Sequence, residues 1–148
     1  MATKVTVDTS KVGVLGLQKT GRAVKAGATK AATLQRQKLR AGKDAANKAL
    51  PPPKAGRPGK HKRKRPLQVT GETLSSIRAG KVRRDGAVTV LPRGYRSDDG
   101  KPHALIVWDY QRDHSVEVIG LVQSEEEQIA KLVESKLLAA EEKLLLGR

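Results

Sequence analysis

The sequence has no cysteine and no phenylalanine among its 148 residues, and only Tyr95, Trp108 and Tyr110 are aromatic. Without cysteine there can be neither a disulfide framework nor a thiolate metal site, and a cysteine-free chain fits a reducing compartment. Three rings cannot supply the aromatic platforms on which successive bases stack in many single-strand binders. Long apolar runs are missing too. No window approaches the roughly 18 residues of a spanning helix, and residues 1–5 lack the apolar stretch of a signal peptide. The expectation is a soluble protein made in the cytoplasm, about one domain in length.

Acidic residues are scarce in one part only. Residues 1–66 hold eighteen Lys or Arg against Asp8 and Asp44 alone, whereas residues 67–148 hold twelve basic and thirteen acidic side chains. The formal net charge of +15 therefore belongs to the first 66 residues. Leu, Ile and Val follow the same division, with 10 in the first 66 residues and 24 in the last 82. A highly charged segment with so few branched aliphatics is expected to lack a core of its own. The chain thus reads as a basic strand and helical arm over 1–50, a Pro-rich basic loop over 51–66, and an α+β domain over 67–148.

Within the arm, Val5 and Val7 alternate with polar residues, which predicts a short edge strand over 3–8. After the candidate caps Asp8 and Ser10, a stretch rich in Ala, Lys, Arg and Gln predicts a long basic helix to about residue 50. Pro51, Pro52 and Pro53 must then stop it. Ala23, Gly27 and Ala31 recur every four positions, a face that lets another backbone approach closely and a candidate for subunit packing. Residues 54–65 carry Lys54, Arg57, Lys60, Lys62, Arg63, Lys64 and Arg65 with two glycines and a proline, which reads as an exposed loop. It could contact phosphates, act as an import signal, or order against an acidic protein neighbour. Residues 56–60 partly resemble an AT-hook, with Ala55 where that motif needs arginine.

From residue 67 the pattern becomes globular. Thr70 is a candidate cap for a short helix that places Leu74 and Ile77 on one face. Asp85-Gly86 between residues 81–84 and 87–91 is a hairpin signal. Residues 103–110 and 115–122 read as a third and a fourth strand. Ser124 and Glu127 form a candidate capping box for a helix that presents Ile129, Leu132, Val133, Leu137, Ala140 and Leu144 at helical spacing. The expected fold is α+β, a small antiparallel sheet of four or five strands packed by the C-terminal helix.

Catalytic constellations are weak. His103, Asp109, Asp113 and His114 flank one predicted strand, but a turn and a solvated face would carry such residues anyway. Ser75 and Ser76 lack the glycines of a nucleophile elbow. Glu117 is followed by Val118 and Ile119, not by the lysine of an acidic-pair nuclease, and no glycine loop suits a phosphate. No catalytic residue, metal or cofactor is expected.

The order of the parts carries more information than any one of them. A basic Ala-rich helix and a Pro-rich loop precede residues 67–77, with Thr70-Gly71, Leu74 and Ser76-Ile77 at set spacing. A hairpin follows, and residues 119–127 then run into an acidic helix start. This arrangement resembles the tail-completion, neck and tail-terminator proteins of tailed bacteriophages, including the Mu-like virion morphogenesis family. The resemblance implies a non-enzymatic virion protein, assembled in the host cytoplasm into a hexameric ring at the head–tail neck or the tail top. Its partners would be further copies of itself, adjoining neck or tail-tube proteins, and packaged DNA. Leu144 and Leu145 would join Ala23, Gly27 and Ala31 in subunit packing, and the seven cations of the loop would face an adjoining ring or DNA. The alternative is a small DNA- or RNA-binding protein whose affinity element is the 54–65 arm.

Overall fold

The computed structural model describes residues 3–5, 17–51, 71–84 and 86–147. Seven elements follow one another: β1 (Thr3–Val5), α1 (Leu17–Arg40), α2 (Glu72–Ser75), β2 (Ile77–Ala79), β3 (Val88–Pro92), α3 (His103–His114) and α4 (Gln123–Leu145). The strands form one antiparallel sheet in the order β1-β3-β2, with Thr3 opposite Val90 and Arg78 opposite Leu91. The mixed α+β class holds, but the four or five strands expected from the sequence do not. Residues 103–110 are helical, and residues 115–122 lie outside the sheet.

The arm does not stand apart from a domain. Helix α1 lies between the sheet and α4, and it supplies Ala23, Val24, Ala28, Ala31, Ala32 and Leu39 to the core. Ile77, Val88 and Val90 meet it from the sheet, and Ile129, Val133 and Leu137 belong to the same core from α4. Full burial of one such valine or isoleucine contributes about 1.5–3 kcal/mol. The sheet is thus covered by α1, and the C-terminal helix packs on α1 instead of on the strands. The segment with too few aliphatics to fold alone has its partner within the chain.

Gly27 shows how the approach is made. A Cβ at this position would collide with Val133 Cγ2 and stand 3.3 Å from Ile129 Cγ2, so only a glycine lets α4 come this near. The helix ends at Arg40, ten residues before the prolines that were expected to stop it. Gly42 takes φ +70°, its N–H donates to Leu39 O, and Lys43 N–H donates to Lys38 O, a Schellman motif. Asp44 then shapes the turn by accepting from the Ala46 and Lys48 amides through Oδ1.

The hairpin exists in a different register from the expected one. Ile77 and Ala79 pair with Pro92 and Val90, while residues 80–87 connect the strands. Inward-facing Ile77, Val88 and Val90 set this pairing, because a slip by one residue would turn that set toward water. Arg83 and Arg84 stay in the connection, where like charges remain solvated. Thr70, the expected cap of α2, lies outside the described residues. Gly71 precedes the first helical residue instead.

Helix α3 replaces the expected third strand because burial recurs every four residues, at His103, Val107 and Gln111. The segment after it joins no strand among the described residues, although the Ala45 amide donates to Glu117 O at 2.9 Å. Two glutamine side chains stand in for a neighbouring strand. Gln35 Nε2 donates to Val118 O at 2.7 Å while its Oε1 accepts from Gly120 N at 2.9 Å. Gln111 Oε1 accepts from Val118 N at 2.8 Å. Lys38 Nζ completes the arrangement, donating to Ala45 O at 2.7 Å, Gly120 O at 3.1 Å and Glu125 Oε2 at 2.8 Å. Helix α4 starts one residue before Ser124, so the reciprocal cap falls two positions earlier than expected. Glu125 accepts from Val122 N at 2.9 Å, and its own amide donates to Val122 O.

Candidate interaction surfaces

The seven loop cations Lys54, Arg57, Lys60, Lys62, Arg63, Lys64 and Arg65 lie outside the described residues. The other sequence candidates are placed. Ala23, Gly27 and Ala31 are on the buried face of α1, and Gly27 meets α4 of the same chain, so this stripe is internal packing and not a subunit contact. Leu144 and Leu145 are exposed at the end of α4, as are Leu138 two turns earlier and Leu146 just after the helix.

Helix α3 spreads the residues that looked catalytic instead of gathering them. His103 is buried with Nδ1 3.1 Å from Thr73 Oγ1. Asp109 pairs with Lys101 at 2.8 Å and Arg112 at 3.3 Å, and the Lys101 hydrogen bond holds its carboxyl below the ordinary carboxylate range. Asp113 is 3.4 Å from Arg112, while the His114 ring lies 4.4 Å from that of Tyr110. Among the described residues, no group of three or more His, Asp or Glu is placed to hold a metal ion.

The same helix exposes an apolar pair that sequence reading missed. Leu105 and Trp108 are 45% and 53% exposed, on the side of α3 away from His103, Val107 and Gln111. Trp108 also borders a groove of about 350 Å³ lined by Gln111, Arg112, Ser115, Val116 and Glu117. A strand would have alternated these residues between two faces, whereas the helix brings Leu105 and Trp108 together at i and i+3. The available signal was the spacing of four between His103, Val107 and Gln111, which leaves Leu105 and Trp108 opposite.

The 95–101 loop beside α3 is held by its own charges. Arg96 pairs with Asp98 at 2.7 Å and with Asp99, and the Arg96 hydrogen bond lowers the Asp99 carboxyl. Glu72 accepts from the Ser97 hydroxyl and amide, which lowers its own pKa and ties the loop to α2. No described helix is long and apolar enough to cross a membrane. Comparison of the chain with protein-family models, curated proteins and solved structures found no match.

Proposed function

We propose that this chain is a structural subunit that acts by assembly, forming a ring at the head–tail neck or tail top of a tailed phage. The reading rests first on the resemblance carried by residues 67–77 and 119–127. Its structural support is the pair of exposed apolar patches. Leu105 and Trp108 on α3 and Leu138, Leu144, Leu145 and Leu146 on α4 leave large side chains in water on a protein with few of them. Surfaces of this kind are covered in oligomers, and a heterologous pairing of two different patches gives a ring where its rotation closes and a filament where it does not. The residues that might have served catalysis are instead engaged in separate ion pairs and ring contacts along α3.

Light scattering and electron microscopy of the purified full chain test this. The expected result is a concentration-dependent ring, with Trp108→Glu and Leu145→Glu each shifting it to monomer while the circular dichroism spectrum is unchanged. A native protein that stays monomeric at all concentrations, binds duplex tightly at low salt and loses that binding on deletion of 54–65 would establish the nucleic-acid-binding alternative instead.

A further inference from the structure

We propose that the β2–β3 hairpin is a binding surface for the phosphate backbone of double-stranded nucleic acid, carried by Arg78, Lys81, Arg83, Arg84 and Arg93. Sequence counting hides this surface, because the part of the chain that contains it is almost neutral. Folding separates the charges. Residues 76–93 contain these five cations and one acidic residue, Asp85, whereas six glutamates lie on α4.

All five cations are exposed, and among the described residues none has a carboxylate within ion-pair distance. The contrast with the neighbouring loop and α3 is direct, since Arg96, Lys101 and Arg112 all pair with aspartates there. Buried Ile77, Val88 and Val90 occupy the inner face of the sheet, so the alternation of strands puts Arg78 on the outer face opposite Leu91. Arg93 lies over Gly80 and donates to Thr89 Oγ1 at 3.3 Å, on the same face. Lys81, Arg83 and Arg84 extend the row into the connection. From Arg78 to Arg84 the row spans at most about 20 Å, a length over which duplex DNA carries roughly a dozen phosphates.

The chemistry of the patch selects its ligand. Protein interfaces bury an apolar centre, yet none of the large exposed apolar side chains lies on this hairpin. Between 76 and 93 there is no aromatic residue to stack on a base and no Asn or Gln to pair with an adenine edge. Strand addition at the outer edge of β2 is also opposed. Lys25 Nζ donates to the carbonyls of Ala79 and Gly80, and Arg36 donates to Ile77 O at 2.9 Å, so α1 already occupies those acceptors with cations. What remains is a row of exposed positive charge suited to phosphate contact.

The test measures binding of a 30-base-pair duplex of arbitrary sequence to the full chain between 50 and 200 mM salt. It compares native protein with the variant carrying Lys81→Gln, Arg83→Gln and Arg84→Gln. Three lost phosphate contacts make the slope of log affinity against log salt shallower by about 2.7, so that the fourfold rise in salt costs the variant about 40-fold less affinity than it costs native protein. The charge-preserving Lys81→Arg, Arg83→Lys, Arg84→Lys variant is expected to keep the native slope. Should the triple variant fail to fold, each single Gln substitution is expected to change the slope by about 0.9. An unchanged slope overturns the proposal. So does a variant that loses self-association while binding duplex as before, since the hairpin would then be docking on protein.

Discussion

Replacing Gln35 by leucine probes the least conventional feature of the fold, an extended segment held by side chains instead of by a neighbouring strand. The Gln35 amide is 1% exposed and makes two hydrogen bonds, at 2.7 Å to Val118 O and 2.9 Å from Gly120 N. Leucine has nearly the same reach but neither donor nor acceptor. Val118 is fully buried, so its carbonyl would lose its partner without gaining water, whereas the half-buried Gly120 amide could be partly rewetted. An orphaned buried group costs about 1–3 kcal/mol, and the added apolar burial returns on the order of 1 kcal/mol. With one group fully and one partly orphaned, the expected net loss is about 1–3 kcal/mol, which in a chain of this size lowers the melting temperature by roughly 2–12 °C. Urea unfolding followed by circular dichroism measures it, with an unchanged m-value showing that only stability has moved. Gln111→Leu releases the same segment from its other side by removing the acceptor for Val118 N. The double variant should therefore lose less than the sum of the singles, by 0.5 kcal/mol or more on the order-of-magnitude scale for coupled sites. A Gln35→Leu loss below about 1 kcal/mol, or strict additivity with Gln111→Leu, would refute the account of how residues 116–122 are held.

Gly27→Ala sets two effects against each other. Helix propensity favours alanine by about 1 kcal/mol, while the collision with fully buried Val133 costs about 1–3 kcal/mol. A net loss is expected in urea unfolding, larger for Gly27→Val, and a stabilised alanine variant would mean that α4 is not so close. Lys38→Met strands the Glu125 carboxylate and two backbone carbonyls. It should cost about 3–5 kcal/mol, with part of the loss recovered when Glu125→Leu is added. Burial pushes the Tyr110 phenol up to about 12, and its hydroxyl donates to Pro51 O at 2.7 Å. Because the folded protein keeps this proton to a higher pH than the unfolded chain, the associated stability is present below pH 10 and fades as pH climbs from 10 toward 12. In a Tyr95→Phe background, phenolate absorbance at 295 nm should rise near pH 12 in folded protein, and a rise near pH 10 would count against the burial.

Elements with strong local signals were legible in the sequence. Ile129, Val133 and Leu137 mark the buried face of α4 as their spacing indicates, whereas Leu74 and Ile77, expected on one face of one helix, are buried from α2 and from β2. The edge strand near Val5 and a hairpin around Gly86 also follow from alternation and turn chemistry. The failures fall where period and tertiary context compete. Leu105, Ile106 and Val107 form a short apolar run that fits strand or helix equally, and the buried residues His103, Val107 and Gln111 decide for the helix. Residues 116–122 have the side chains of a strand, but Gln35, 83 positions before Val118, supplies two of their hydrogen bonds, and Gln111, Lys38 and the Ala45 amide supply others. Such a partner cannot be read from local pattern. The candidate surfaces were legible as charge and not as place. Arg78 and Arg93 looked ordinary in a neutral stretch until the hairpin put them on one face.

The charge and aliphatic counts of residues 1–66 pointed to a segment without a core, yet 17–40 became the centre of one. The reconciliation lies in what a residue count measures. Apolar content estimates how much area a helix can bury through its side chains. Helix α1 instead meets its neighbours with Ala23, Gly27, Ala28, Ala31 and Ala32, so the α4 side chains Ile129 and Val133 close directly over its backbone. The apolar area comes from the partners, and the small residues admit them. Lysine and arginine then become compatible with a central position because their long stems carry the charge past the apolar core to polar partners. Lys25 and Arg36 end on the carbonyls of β2, and Lys38 ends on Glu125 and two backbone oxygens. High charge excludes a core only when the cations must be solvated, and on α1 these three have carbonyl and carboxylate partners supplied by the fold.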